Sequence, residues 1–89
     1  MLAGLGADRP ATRIVAGLSH PRRLAVCRAI AAGADSHRLL SRALGLATGP
    51  LYHHIRALER AGVIAIARRN QYELTPAGRR ILLALAAVA

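Results

Sequence analysis

The sequence predicts a mainly α-helical domain closed by one small β-hairpin. Three observations carry the prediction. Between residues 11 and 62, apolar side chains recur at helical spacing, between cap-like starts and glycine stops. Between Val63 and Thr75 the period changes to strand-like alternation. Thr75-Pro76 then restarts a helical apolar run that continues to the end. A chain of 89 residues suits one domain with a modest core. Residues 1–10 carry two Gly and a Pro without a period and read as a flexible arm, leaving 11–89 as the domain.

Ala11 to Leu18 is a short helix candidate, with Ile14, Val15 and Leu18 on one face. Ser19-His20-Pro21 breaks and restarts the chain, since proline fits the first turn of a helix. The next helix is expected from Pro21 to Ala32, with Leu24, Val26, Cys27 and Ile30 inward and Gly33 as its stop. Asp35 or Ser36 can cap a helix from 36 to 44, whose Leu40 and Leu44 face the core. Gly45-Leu46-Ala47 leaves only a tight connection to the next helix, about 48–62. There Thr48 is expected as N-cap, Pro50 sits in the first turn and Gly62 is the stop. Leu51, Ile55 and Leu58 form its apolar stripe, and Tyr52, His53, Arg56 and Arg60 its other side.

Val63 to Arg68 and Gln71 to Thr75 read as paired strands, a hairpin of about 63–75. Placing Ile66 on the face of Leu74 requires an odd loop, most simply Arg69 to Gln71, with Asn70 suited to a positive φ. The last helix, about 76–89, carries Ile81, Leu82, Leu83, Leu85 and Val88 over more than one face. Such a helix calls for a second buried surface.

Composition narrows the function classes. The net charge is +9, and all 13 basic residues are arginine against four acids, Asp8, Asp35, Glu59 and Glu73. That excess favours a polyanionic partner. A compositional bias can explain the choice of arginine over lysine, but not the scarcity of acids. The hydrophobic fraction of 54% excludes a disordered chain. Cys27 is the single cysteine, so it forms no intrachain disulfide and heads no zinc cluster; it reads as a small core side chain. No secretory pattern opens the chain, and the apolar run from Ile81 to Ala89 is far short of the ~20 residues that span a bilayer. A cytoplasmic setting without membrane contact is expected. No paired carboxylates, nucleophile–base pair or phosphate-binding loop stands out, so no enzyme activity is expected.

Helix, short glycine-bearing turn, and a helix with a polar outer face make a helix-turn-helix. In order and spacing, four runs resemble the arsenic-repressor-like (ArsR-type) winged helix-turn-helix regulators. They are Leu18-Ser19-His20-Pro21-Arg22-Arg23-Leu24, Leu44-Gly45-Leu46-Ala47, Leu51 to Ile64, and Tyr72-Glu73-Leu74-Thr75-Pro76-Ala77-Gly78. The resemblance spans roughly residues 18 to 78. It implies a winged helix-turn-helix that binds double-stranded DNA sequence-specifically, as a transcription regulator and homodimer paired through terminal helices. A repressor is the expected form. The paired cysteines of the metal-sensing members are missing, since residues 36–42 read Ser-His-Arg-Leu-Leu-Ser-Arg. No metal or other cofactor is expected, and no residue pattern names a small-molecule effector.

An α-helix fits the DNA major groove, where base edges are distinguishable. On the recognition helix Arg56 suits guanine, His53 a base edge, and Tyr52 a phosphate or a thymine methyl. Thr48, Gly49 and Pro50 bring the helix start, with its free N–H groups, toward a phosphate. Arg38 and Arg42 suit phosphates beneath the supporting helix, and Arg68 and Arg69 suit the flanking backbone or minor groove at the hairpin tip. The dimer face is expected to hold Ile14, Leu18, Ile81, Leu82, Leu85 and Val88. His54 lies nearer the apolar stripe than His53 and is expected to be partly buried and hydrogen-bonded, while His20 and His37 read as surface or cap residues. The bland alternative for each arginine is a solvated helix or tip residue. The alternative for the whole domain is a protein–protein interaction module, or a non-specific nucleic-acid-binding subunit of a larger assembly.

Overall fold

The computed structural model describes Leu18 and residues 20–88. The expected helix at 11–18 lies outside them, except for Leu18. Four helices and one hairpin follow in order: α1 Pro21–Ala31, α2 His37–Leu44, α3 Thr48–Arg60, β1 Ile64–Arg68, β2 Gln71–Leu74 and α4 Pro76–Val88. This is the expected mainly helical architecture with a two-stranded antiparallel wing.

The caps explain the boundaries. His20 caps α1, its Nδ1 accepting from the Arg22 N–H at 3.1 Å. Ser36, not Asp35, caps α2, its Oγ accepting from the Leu39 N–H at 3.1 Å. Asp35 instead turns toward the wing. Its carbonyl accepts from the Tyr72 N–H at 2.7 Å, and its carboxylate from the Gln71 side-chain amide at 3.1 Å. Gly45, at φ 64°, ends α2, and the Ser41 hydroxyl donates to the Leu46 carbonyl at 2.7 Å, which closes the turn into α3.

Two expectations need correction here. Thr48 is not the N-cap of α3. Ala47 holds that place with extended backbone and no side-chain cap bond, and Thr48 is already helical. The tight turn after Gly45 starts α3 one residue early, so Pro50 falls at the third helical position. The residue before a proline is normally pushed out of the helical region by contact with its own Cβ. Gly49, having none, stays helical there.

The hairpin register also differs. Ile66 pairs with Tyr72 and Ile64 with Leu74, and an irregularity between Ile66 and Arg68 brings Arg68 opposite Gln71. Gln71 therefore belongs to β2, and the loop is Arg69-Asn70, with Asn70 at φ 60°. A bulge absorbs the residue that the odd loop was meant to supply. The shared face of Ile64, Ile66, Tyr72 and Leu74 survives, because the pairing moved by an even step.

Leu40, Leu51, Leu58, Val26, Val63 and Cys27 are the largest fully buried side chains, joining α1, α2, α3 and the base of the wing. Each buried aliphatic side chain contributes roughly 1.5–3 kcal/mol. Leu18 and Leu82 are taken up in this same core, while Ile81 is partly buried against it. Leu83 and Leu85 are both exposed on α4, though two residues apart they point to nearly opposite sides of the helix. Of the other residues expected at a dimer face, Ile14 and the Val88 side chain lie outside the described part.

The junction between α3, the wing and α4 is the tightest place in the fold. Gly62, at φ 79°, ends α3, with Gly62 N–H to Glu59 carbonyl at 3.0 Å and Val63 N–H to Leu58 carbonyl at 2.9 Å. Gly78 packs its Cα on the Val63 carbonyl, and a Cβ there would overlap that oxygen. Inside an open helix, glycine to alanine gains stability. Gly78→Ala should instead lose about 3 kcal/mol, because the obstacle is backbone that cannot step aside. Urea unfolding would read this as a lower midpoint; an unchanged or raised midpoint would contradict it.

Candidate nucleic-acid interface

One side of α3 enters the core through Leu51, His54, Ile55 and Leu58. The other presents Tyr52, His53, Arg56, Glu59 and Arg60 to solvent. The helical period makes this division, since residues three and four apart share a face. Tyr52 is 45% exposed and rests against His37 of α2, with ring centroids 4.5 Å apart and planes at 35°. The two rings are in contact in a tilted arrangement. The start of α3 is exposed at Thr48, Gly49 and Pro50, and Ala47 provides no capping side chain. The first-turn N–H groups of Thr48 and Gly49 are therefore open to an anion. Arg38 and Arg42 are exposed on α2.

The wing contributes differently on its two sides. A groove of about 230 Å³ runs between α3 and the wing, lined by Tyr52, Ile55, Arg56, Arg60, Ile66 and others. Ile66, on the inner face of the wing, is 56% exposed there because the hairpin extends past the core. Arg68 does not line this groove. It borders an open cavity of about 480 Å³ shared with Ile30, Asp35, Glu73 and Arg79. Arg69 is exposed at the turn. The structure thus groups Tyr52, Arg56 and Arg60 along one groove, with Glu59 among them, and sets Arg68 apart. Sequence reasoning placed both tip arginines together because it did not foresee the bulge.

The histidines separate as their spacing implies. His53 is exposed, and His54 is 8% exposed against α1. The His54 ring lies 5.0 Å from that of His20 and 5.8 Å from that of His53. The expected hydrogen bond is not made at one nitrogen: Nδ1 of His54 is buried without a partner among the described residues. Burial, then the neighbouring His20, Arg23, His53 and Arg22, lower the pKa of His54 from its ordinary value, so it stays neutral. His20 is exposed at its cap, as expected, but His37 is half-buried under Tyr52. Cys27 is fully buried, and burial pushes its thiol up to about 11, so it remains a protonated core side chain at neutral pH. Among the described residues, no group of three or more His, Cys, Asp or Glu is arranged to hold a metal ion. No helix among them is long and apolar enough to cross a membrane.

Residues 36–65 match the family model for winged helix-turn-helix DNA-binding. The matched stretch runs from the α2 cap through α3 into β1, so it contains the turn and the whole exposed face just described. No match was found among curated proteins or among solved structures.

His54 sets a pH dependence with a definite sign. In the unfolded chain it titrates near 6.5, and in the fold at lower pH. Below about 6.5 the unfolded state therefore takes up more protons, and stability falls as the pH falls. The thermal midpoint should drop on acidification through this range, with a shallower drop in His54→Leu. Equal slopes in the two proteins would refute the assignment.

Proposed function

Taking a winged helix-turn-helix DNA-binding domain as the premise, we propose that this chain is a sequence-specific transcription regulator of the ArsR type, a repressor that acts as a cytoplasmic homodimer. One observation carries the reading. α3 buries four side chains on one side and exposes Tyr52, His53 and Arg56 together on the other, at the end where recognition helices meet base edges. In this reading Arg56 reads a guanine edge, with His53 and Tyr52 beside it. Thr48, Gly49 and Pro50 approach a phosphate, and Arg38, Arg42, Arg68 and Arg69 add backbone contacts.

The exposed Leu85 on α4, with the partly buried Ile81 one turn before it on the same face, supports pairing of two copies. A two-fold dimer sets its recognition helices into half-sites roughly 34 Å apart, or a multiple of that. The activity is binding alone, with no cofactor and no reaction. Occupying an operator excludes other proteins from the same duplex, which is how a domain of this size represses.

The same exposed leucine favours a second reading, a protein-interaction module in a larger assembly. Salt separates the two. Phosphate-driven binding weakens steeply with salt, and an apolar interface does not.

Selection of bound fragments from genomic DNA, followed by anisotropy titration, tests the regulator. One duplex class should bind more tightly than competitor, and failure to prefer any duplex would overturn the reading. On that duplex, Arg56→Ala should lose about 1–3 kcal/mol of discrimination at one base position. A uniform loss over all sequences would make Arg56 a phosphate contact instead. Sedimentation at micromolar concentration should show a dimer that Leu85→Glu dissociates; a wild-type monomer would contradict the pairing.

A further inference from the structure

Tyr52 stands exposed on the open face of α3. An exposed tyrosine on a helix ordinarily exchanges between two χ1 rotamers within picoseconds to nanoseconds. Tyr52 is held more closely than that. Its ring lies against His37 of α2, with centroids 4.5 Å apart and planes at 35°. Only one rotamer keeps this contact, because a change of χ1 by about 120° swings the ring to another side of its own Cα.

His37 is placed to act as a backstop. It is the first residue of α2. The Leu39 N–H donates to Ser36 Oγ at 3.1 Å and the Leu40 N–H to the Ser36 carbonyl at 2.9 Å, which fixes the turn that carries it. Two residues before His37, Asp35 is tied to the wing through Tyr72 and Gln71. The His37 ring is half-buried, and its buried Nε2 has no hydrogen-bond partner among the described residues. A buried nitrogen left unpaired costs stability, so that nitrogen gives the fold no reason to keep an imidazole there. What the ring supplies is a surface for Tyr52. Tyr52 in turn borders the groove between α3 and the wing, with Arg56, Ile66 and Tyr72. It is thus backed by α2 and presented at the groove.

We propose that His37 is a positioning residue for DNA recognition: its ring holds Tyr52 in the one rotamer that α3 presents to a duplex. This rests on the reading of α3 as a recognition helix. His37 reads no base and acts through Tyr52. A side chain that is already ordered loses less conformational freedom on binding than a free one, so the ring pair raises affinity without adding a contact to DNA. α2 then sets the aim of a side chain on α3 as well as packing against that helix.

The free chain gives the first measurement. In its NMR spectrum the Tyr52 side chain should show the couplings of a single χ1 rotamer. His37→Ala should average them while leaving the Tyr72 couplings unchanged. Averaged couplings in the wild type, or no change in His37→Ala, would overturn the positioning role alone. Anisotropy titration on the selected duplex gives the second. His37→Ala should weaken binding about three- to tenfold, the range that one aromatic pair supports. In a Tyr52→Ala background it should have no further effect. Equal losses in both backgrounds would show His37 acting apart from Tyr52, against the proposal. His37→Phe keeps a ring and removes the unpaired nitrogen, so it should bind as the wild type does and unfold at no lower temperature; a loss of binding equal to that of His37→Ala would overturn the role of the ring. A wild-type chain that holds one Tyr52 rotamer yet binds no duplex would overturn the DNA-binding reading, and the role in recognition with it.

Discussion

One hydroxyl and one missing methyl fasten the end of α3, already seated in the core, to the wing and the C-terminal helix. Thr75 Oγ1 donates to the Gly62 carbonyl at 2.6 Å, with the Val63 carbonyl 3.2 Å away, and accepts from the Gly78 N–H at 2.9 Å. The Thr75 N–H reaches the Val63 carbonyl at 2.9 Å. These bonds join the end of α3, the entry to β1, the exit from β2 and the start of α4. The approach is possible only because Gly78 has no side chain on the Val63 carbonyl. Wing, α3 and C-terminal helix are therefore fastened at one point, and none can turn without breaking bonds of this junction, some of them partly buried.

A second tie holds the other edge of the wing. Asp35, between α1 and α2, bonds to Tyr72 and Gln71 through both its carbonyl and its carboxylate. The supporting helix and the wing are thus linked without passing through α3. One of the few acids in this basic protein is spent on that link, on the side of the wing away from the α3 groove. The groove itself has a mixed character, with Arg56 and Arg60 beside Ile66 and Tyr72. Glu59 lines it as well, so the groove offers both signs of charge beside its apolar and aromatic groups.

Much of this was legible in the residues because it depends on local chemistry. Pro21 and Pro76 mark first turns, Ser36 caps, Gly45 and Gly62 take positive φ, and Asn70 does so at the hairpin tip. Each is a one-residue constraint that neighbours rarely overrule. The two-sided character of α3, and the separation of His53 from His54, follow from the helical period alone. The errors arose where a neighbour decided. Thr48 lost the cap to Ala47 because the turn after Gly45 delivers the chain one residue sooner. The hairpin loop shortened because a bulge, invisible to alternation, took up a residue.

By itself, then, the sequence determined the order of helices and strands, the inward and outward faces of α3, and the strong positive charge that points to a polyanion. Periodicity and caps are properties of a few consecutive residues, so they can be read without a fold. Only the tertiary structure decided which distant groups meet. It set His20 against His54, Asp35 against the wing and Gly78 on the Val63 carbonyl, and it moved Arg68 away from the groove between α3 and the wing. It also divided the apolar residues of α4, burying Leu82 and leaving Leu83 and Leu85 outside. These pairings depend on how packed elements cross, and no short-range pattern in the chain encodes that crossing.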